Sequence, residues 1–116
     1  MKELTEEQRK ILLKYRNDYI DAIKELITIY EKRTSKYCPL CKLDKDITEL
    51  HQLNTCSSCL WWILEGTRCE GWLKNIYLYI PSWAHIKVEE KKEFNDIRLR
   101  RIKMLKEWLE FIKNLK

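Results

Sequence analysis

Two C-x-x-C pairs constrain this chain more than any other feature. Cys38-Pro39-Leu40-Cys41 and Cys56-Ser57-Ser58-Cys59 are separated by fourteen residues. Two residues between thiolates let one tight turn place both sulfurs on a single ion at roughly 2.3 Å, and two such turns complete a tetrahedron. The spacing is close to that of a four-thiolate zinc site, and structural zinc is the chemistry this donor set favours. An iron–sulfur cluster also takes four thiolates. A redox-active C-x-x-C is the third alternative; it calls for a strand–helix context around Cys38. The fifth cysteine, Cys69, lies ten residues after Cys59. It can replace Cys56 as a ligand, or be a small buried apolar residue. His51 and His85 have no C-x-x-C partner and are left out of the site.

A chain of 116 residues is one domain's worth. Two Gly and two Pro exclude a Gly/Pro-rich disordered chain and a collagen-like one. The longest apolar run, Cys59 to Leu64, has six residues, far short of the ~20 that span a bilayer. The first residues, Met1 to Glu7, contain no apolar signal region. The expectation is a soluble intracellular protein with no membrane partner.

The fold class expected is mainly α: two long amphipathic helices, packed antiparallel, bracketing a small four-cysteine zinc module. Residues 5–33 read as one helix. Thr5 is a good N-cap and Gln8 completes a capping box. Leu12, Tyr15, Tyr19, Ala22, Ile23, Leu26 and Tyr30 recur at helical spacing, and Leu13, Ile20 and Ile29 widen the arc. So broad an arc calls for more than one neighbour. Residues 37–71 are the metal module. Pro39 and Asp44-Lys45-Asp46 mark turns there, and 47–53 fits a short strand or a short helix. Thr55 can cap a helix that Gly66 ends, which puts the second cysteine pair on a first helical turn. A knuckle followed by such a pair is the treble-clef arrangement, with a zinc ribbon as the alternative. Residues 72–80 are an apolar connector. Residues 83–115 read as the second helix, its stripe formed by Phe94, Ile97, Leu105, Trp108, Leu109, Ile112 and Leu115.

Charge is uneven along the chain. The net of +5 is concentrated in residues 81–116, where ten cations meet six acids. Arg98, Arg100, Arg101, Lys103 and Lys106 fall in nine residues without an acid. They do not form one helical stripe, as a nucleic-acid helix would more naturally arrange. Arg98 and Arg101 project near the apolar side and can pair with Asp18, Asp21 or Glu25. Trp61, Trp62, Trp72, Tyr77, Tyr79 and Trp83 lie within 23 residues. They either fill the core or act as stacking platforms and protein hot spots. The candidate binding residues are Trp61, Trp62, Arg98, Arg100, Arg101 and Lys103.

No G-x-G-x-x-G, P-loop, H-E-x-x-H or G-x-S-x-G occurs. A closed four-thiolate site is inert as a Lewis acid, so the zinc expected here folds its segment and catalyses nothing.

The motif series Cys38-Pro39-Leu40-Cys41, Cys56, Cys59, Trp61, Gly66 and Cys69 resembles that of small bacteriophage- and prophage-encoded zinc-motif proteins. Those show C-P-L-C, then C-x-x-C followed by Pro and Trp, then a Gly and a further Cys; here Leu60 stands where Pro is usual. The resemblance covers roughly residues 37–72. It implies a viral or mobile-element origin and a role in engaging host or viral machinery, and it raises Cys69 as a ligand.

The function expected is a non-enzymatic, zinc-stabilised binding protein in the host cytoplasm. It would dock on a host or viral protein, inhibiting or redirecting host machinery, defence systems included. The alternative is a nucleic-acid-binding zinc protein that uses the basic C-terminal helix. Homodimerisation through the wide apolar arcs can accompany either.

Overall fold

The computed structural model describes residues 3–32, 38–67 and 88–116. About four-fifths of these are helical and none lies in a strand. The described elements are α1 (Glu6–Lys14), α2 (Arg16–Lys32), α3 (Pro39–His51), a π-helical turn at Trp61–Glu65, and α4 (Val88–Asn114). Cys69, the 72–80 connector, residues 83–87 of the expected second helix, Trp72, Tyr77, Tyr79, Trp83 and His85 lie outside the described residues. No described helix is long and apolar enough to cross a membrane.

The capping box forms as expected. Thr5 Oγ1 accepts from the Gln8 N–H at 3.1 Å, and Gln8 Oε1 accepts from the Thr5 N–H at 3.0 Å. The helix expected over 5–33 is two helices, broken at Tyr15, whose backbone leaves helical geometry at φ −108° and ψ 23°. Residues 11–19 contain no Gly or Pro, so local propensity carries no signal for the break. Tertiary contacts coincide with it. The Tyr15 hydroxyl is hydrogen-bonded to Nε2 of His51 at the end of α3. The Arg16 guanidinium donates to the carbonyl of Leu115 after α4.

Residues 39–51 are helical, where turns were expected at Pro39 and Asp44–Asp46. Pro39 stands at the first position, where its fixed φ suits a helix and its missing N–H costs nothing. Leu40, Asp44, Ile47 and Thr48 are buried at helical spacing. An aspartate therefore sits in the core register, which hides the period from a purely apolar reading. The helix closes on Gln52 in left-handed geometry (φ 56°), and the Leu53 N–H returns to the Thr48 carbonyl at 2.9 Å.

The core is organised around α2, which packs on both α3 and α4, as the width of its arc requires. Tyr19, Ala22, Ile23, Leu26, Ile29 and Tyr30 are buried along it. Arg16 at its start meets Leu115, and Tyr30 near its end meets Arg98 and Arg101. On α4 the stripe of Ile97, Leu105, Trp108, Ile112 and Leu115 is buried. Arg101 fills the gap in that stripe and is only 1% exposed. Its guanidinium lies 5.8 Å from the Tyr30 ring centroid and 5.6 Å from that of Trp61. It also donates to the Tyr30 hydroxyl at 3.1 Å. Trp61 and Trp108 meet edge to face at 5.2 Å, the orientation that ring quadrupoles favour.

Two outcomes follow for urea denaturation. Leu26→Ala, at a site 1% exposed, should cost about 2–5 kcal/mol. Arg101→Ala should cost on the order of 2 kcal/mol through lost ring contacts and packing, whereas exposed Arg100→Ala should stay within about 0.5 kcal/mol. Equal effects at 100 and 101 would contradict the buried placement.

Candidate thiol site

The first cysteine pair starts a helix. Cys38 is the N-cap residue of α3 and Cys41 lies in its first turn. There the unsatisfied N–H groups and the helix dipole favour a thiolate. The expected order of knuckle and helix-start pair is thus reversed. The second pair lies on a turn, not on a helix. Cys56 has φ 72°, the Cys59 N–H bonds back to the Cys56 carbonyl at 3.2 Å, and the helical turn begins only afterwards. Gly66 ends that turn in left-handed geometry (φ 72°), as its position predicted.

The physical reason is the demand on the backbone donors of the turn. Asp44 Oδ2 accepts from the Cys56 N–H at 2.9 Å, and Oδ1 accepts from the Ser58 N–H at 2.9 Å. From the other side the Tyr19 hydroxyl donates to the Ser58 carbonyl at 2.6 Å. Ser58 is fully buried and Asp44 is 4% exposed. A non-glycine residue in the left-handed region costs about 1–3 kcal/mol and persists only where its surroundings dictate it. Burial, with smaller effects from neighbouring Cys59 and Asp44, pushes the Tyr19 phenol well above its usual range. It stays a protonated donor.

Cys41, Cys56 and Cys59 line one cavity of about 420 Å³, together with Asp44, Lys45, Thr48, Glu49, Thr55, Trp61 and Trp62. Three of the four paired cysteines are thus brought together from two segments. Cys38 is half-buried and packs against the hydrophobic core. Cys41 is exposed, Cys56 half-buried and Cys59 buried. Cysteines of both pairs line this one cavity, and sulfur is the donor that soft metal ions prefer. Among the described residues no three His, Cys, Asp or Glu side chains already stand in a metal-holding arrangement.

The candidate binding residues divide by exposure. Trp61 is buried at 4% and belongs to the core, whereas Trp62 is 39% exposed at the cavity wall. Arg101 is buried and Arg98 half-buried. Arg98 donates to the Tyr30 carbonyl at 3.3 Å and to Asn95 Oδ1 at 3.3 Å. Arg101 is interior, because it occupies a core position of α4 on the apolar side where the helical spacing places it. Arg100, Lys103 and Lys106 are exposed. Sequence reasoning missed Asp44 and Tyr19 as residues that build the site. The gap between Leu40 and Ile47 in a helical period is the one signal that pointed to Asp44.

Scans against protein-family models, curated proteins and solved structures find no match to this chain.

Tyr19→Phe leaves the buried Ser58 carbonyl without its donor and should cost about 1–3 kcal/mol in chemical denaturation. The alkaline limb gives a second check. The unfolded chain releases the phenol proton near pH 10 while the folded chain holds it, so stability falls as pH rises past that point. The fall should be shallower in Tyr19→Phe.

Proposed function

We propose that this chain is a non-enzymatic, zinc-stabilised binding protein, in which a four-thiolate ion ties the α3 start to the Cys56–Cys59 turn between two antiparallel helices. The observation that carries this reading is the meeting of Cys41, Cys56 and Cys59 at one cavity from segments fourteen residues apart in sequence. Cys38, three residues before Cys41 on the same helix start, supplies the fourth thiolate; Cys69 is the other candidate. Zinc would add apparent binding energy of roughly 10–16 kcal/mol to a domain whose net stability is about 5–15 kcal/mol. Such a clamp would tie the Cys56–Cys59 turn to α3 in addition to the two Asp44 hydrogen bonds.

The function served is docking on a protein. Trp62 (39% exposed), Leu99 (56%) and Leu50 (71%) are large apolar groups on the surface, and aromatic anchors of this kind dominate protein interfaces. The motif resemblance adds a phage or mobile-element origin, a host-cytoplasmic location and a host or viral partner whose activity, defence included, is inhibited or redirected. Nucleic-acid binding is the second reading. It is favoured by exposed Arg100, Lys103 and Lys106 on one segment of α4 without an intervening acid, and weakened by the inward turn of Arg98 and Arg101. Homodimerisation is compatible with either.

Chain purified without chelator should carry about one zinc per molecule by elemental analysis. Stripping it should lower the thermal midpoint, and Cys41→Ser or Cys59→Ser should abolish the metal. A metal-free preparation that also fails to bind cobalt would end the zinc reading. For the second reading, affinity for mixed nucleic acids is measured across a salt series. Phosphate binding predicts a steep loss with salt, and a slope reduced by about one for each of Arg100, Lys103 and Lys106 changed to Ala. No binding at low salt would leave protein docking.

A further inference from the structure

One carboxylate anchors the turn that carries the second cysteine pair. Asp44 is buried, and both of its oxygens are committed to backbone donors of the Cys56–Ser58 segment, each at 2.9 Å. Cys56 adopts a φ of 72°, a region where only glycine is at ease. Asp44 follows Cys41 by three residues on α3, and residues three apart share a helix face. The same face of α3 therefore carries one thiol and the anchor for two others. All four residues line one cavity.

We propose that Asp44 is the positioning residue of the thiol site, setting the Cys56–Cys59 turn in the metal-free chain so that both thiols are presented toward Cys41 before any ligand arrives. In a usual knuckle the backbone N–H groups point at the sulfurs. Here the Cys56 and Ser58 donors are taken by a carboxylate, so their task is to fix the backbone. A carboxylate suits this because it accepts at both oxygens, and charge-assisted bonds are stronger than neutral ones. Asparagine can accept only at Oδ1 and turns an N–H toward the second donor. Desolvating a carboxylate is costly, and the two bonds are what offsets that cost. The hold on the turn is a pair of hydrogen bonds within the chain; its effect on metal affinity rests on the zinc reading above.

The test compares the unaltered chain with Asp44→Asn and Asp44→Ala, all metal-free and reduced. Each is treated with iodoacetamide, and the modification rate of every cysteine is followed by mass mapping. Cys59, 6% exposed, should react at least about ten-fold faster in Asp44→Ala and by a smaller factor in Asp44→Asn, because loss of the two bonds lets the turn open locally. Cys41, exposed on α3, should keep its rate and so reports whether α3 survives. Should Asp44→Ala fail to fold by circular dichroism, the volume-matched Asp44→Asn decides. An unchanged Cys59 rate overturns the proposal. So does an equal rise at Cys41 and Cys59 in a variant that keeps its helix content. Cobalt titration supplies the second readout: where the unaltered chain binds cobalt, Asp44→Asn should weaken it about 10–100-fold with the thiolate charge-transfer band retained. A chain that binds no cobalt ends the zinc reading, and the alkylation rates still decide the role of Asp44.

Discussion

The apolar arc of α2 is too wide for one neighbour to cover, and the rest of the structure is arranged around that requirement. Burying Tyr19, Ile23, Leu26 and Tyr30 removes enough apolar area to place α3 on one side and α4 on another. Each of those helices then carries a chemically different cargo. α3 brings the first cysteine pair and Asp44. α4 brings Trp108 and Arg101 against Trp61, next to the second pair. The thiol site lies between α3, packed on α2, and the segment that runs from Thr55 to Trp62. It is positioned by hydrophobic packing and trimmed by a few hydrogen bonds.

Two charged residues occupy core registers, and both earn their place through partners. Arg101 lies between the Tyr30 and Trp61 rings and bonds the Tyr30 hydroxyl. A planar guanidinium can stack on rings and hydrogen-bond at once. Asp44 spends its oxygens on two N–H groups of a neighbouring turn. The two residues do similar work at opposite ends of the problem. Arg101 welds α4 to α2 and the π-helical turn, and Asp44 welds that turn's leading segment to α3. Trp108 adds a third link, donating from Nε1 to Glu65 Oε1 at 2.9 Å.

The division between interior and exterior also reshapes the reading of the surface. The five cations within nine residues do not share one helical stripe. Helical geometry sends Arg98 and Arg101 inward and leaves Arg100, Lys103 and Lys106 exposed. The tryptophan pair divides in the same way, Trp61 into the core and Trp62 to the cavity wall. Adjacent residues on a helical turn face different directions, so proximity in sequence is a poor guide to a shared face.

The sequence by itself determined the helical class, the Thr5–Gln8 capping box, the left-handed end at Gly66 and the apolar stripes of α2 and α4. All of these are local: a cap is settled within four residues, and a stripe by its period. It also marked the two cysteine pairs as the candidate site, by their spacing alone. Tertiary structure decided the break at Tyr15, the helical course of residues 39–51 and the reversed placement of the two pairs. It also decided the burial of Asp44 and the aromatic partners of Arg101. Each of these depends on a partner far along the chain: His51 for Tyr15, Cys56 and Ser58 for Asp44, Tyr30 and Trp61 for Arg101. Propensity has no access to such partners. A buried aspartate reads as solvent-facing until the groups that satisfy it are in place.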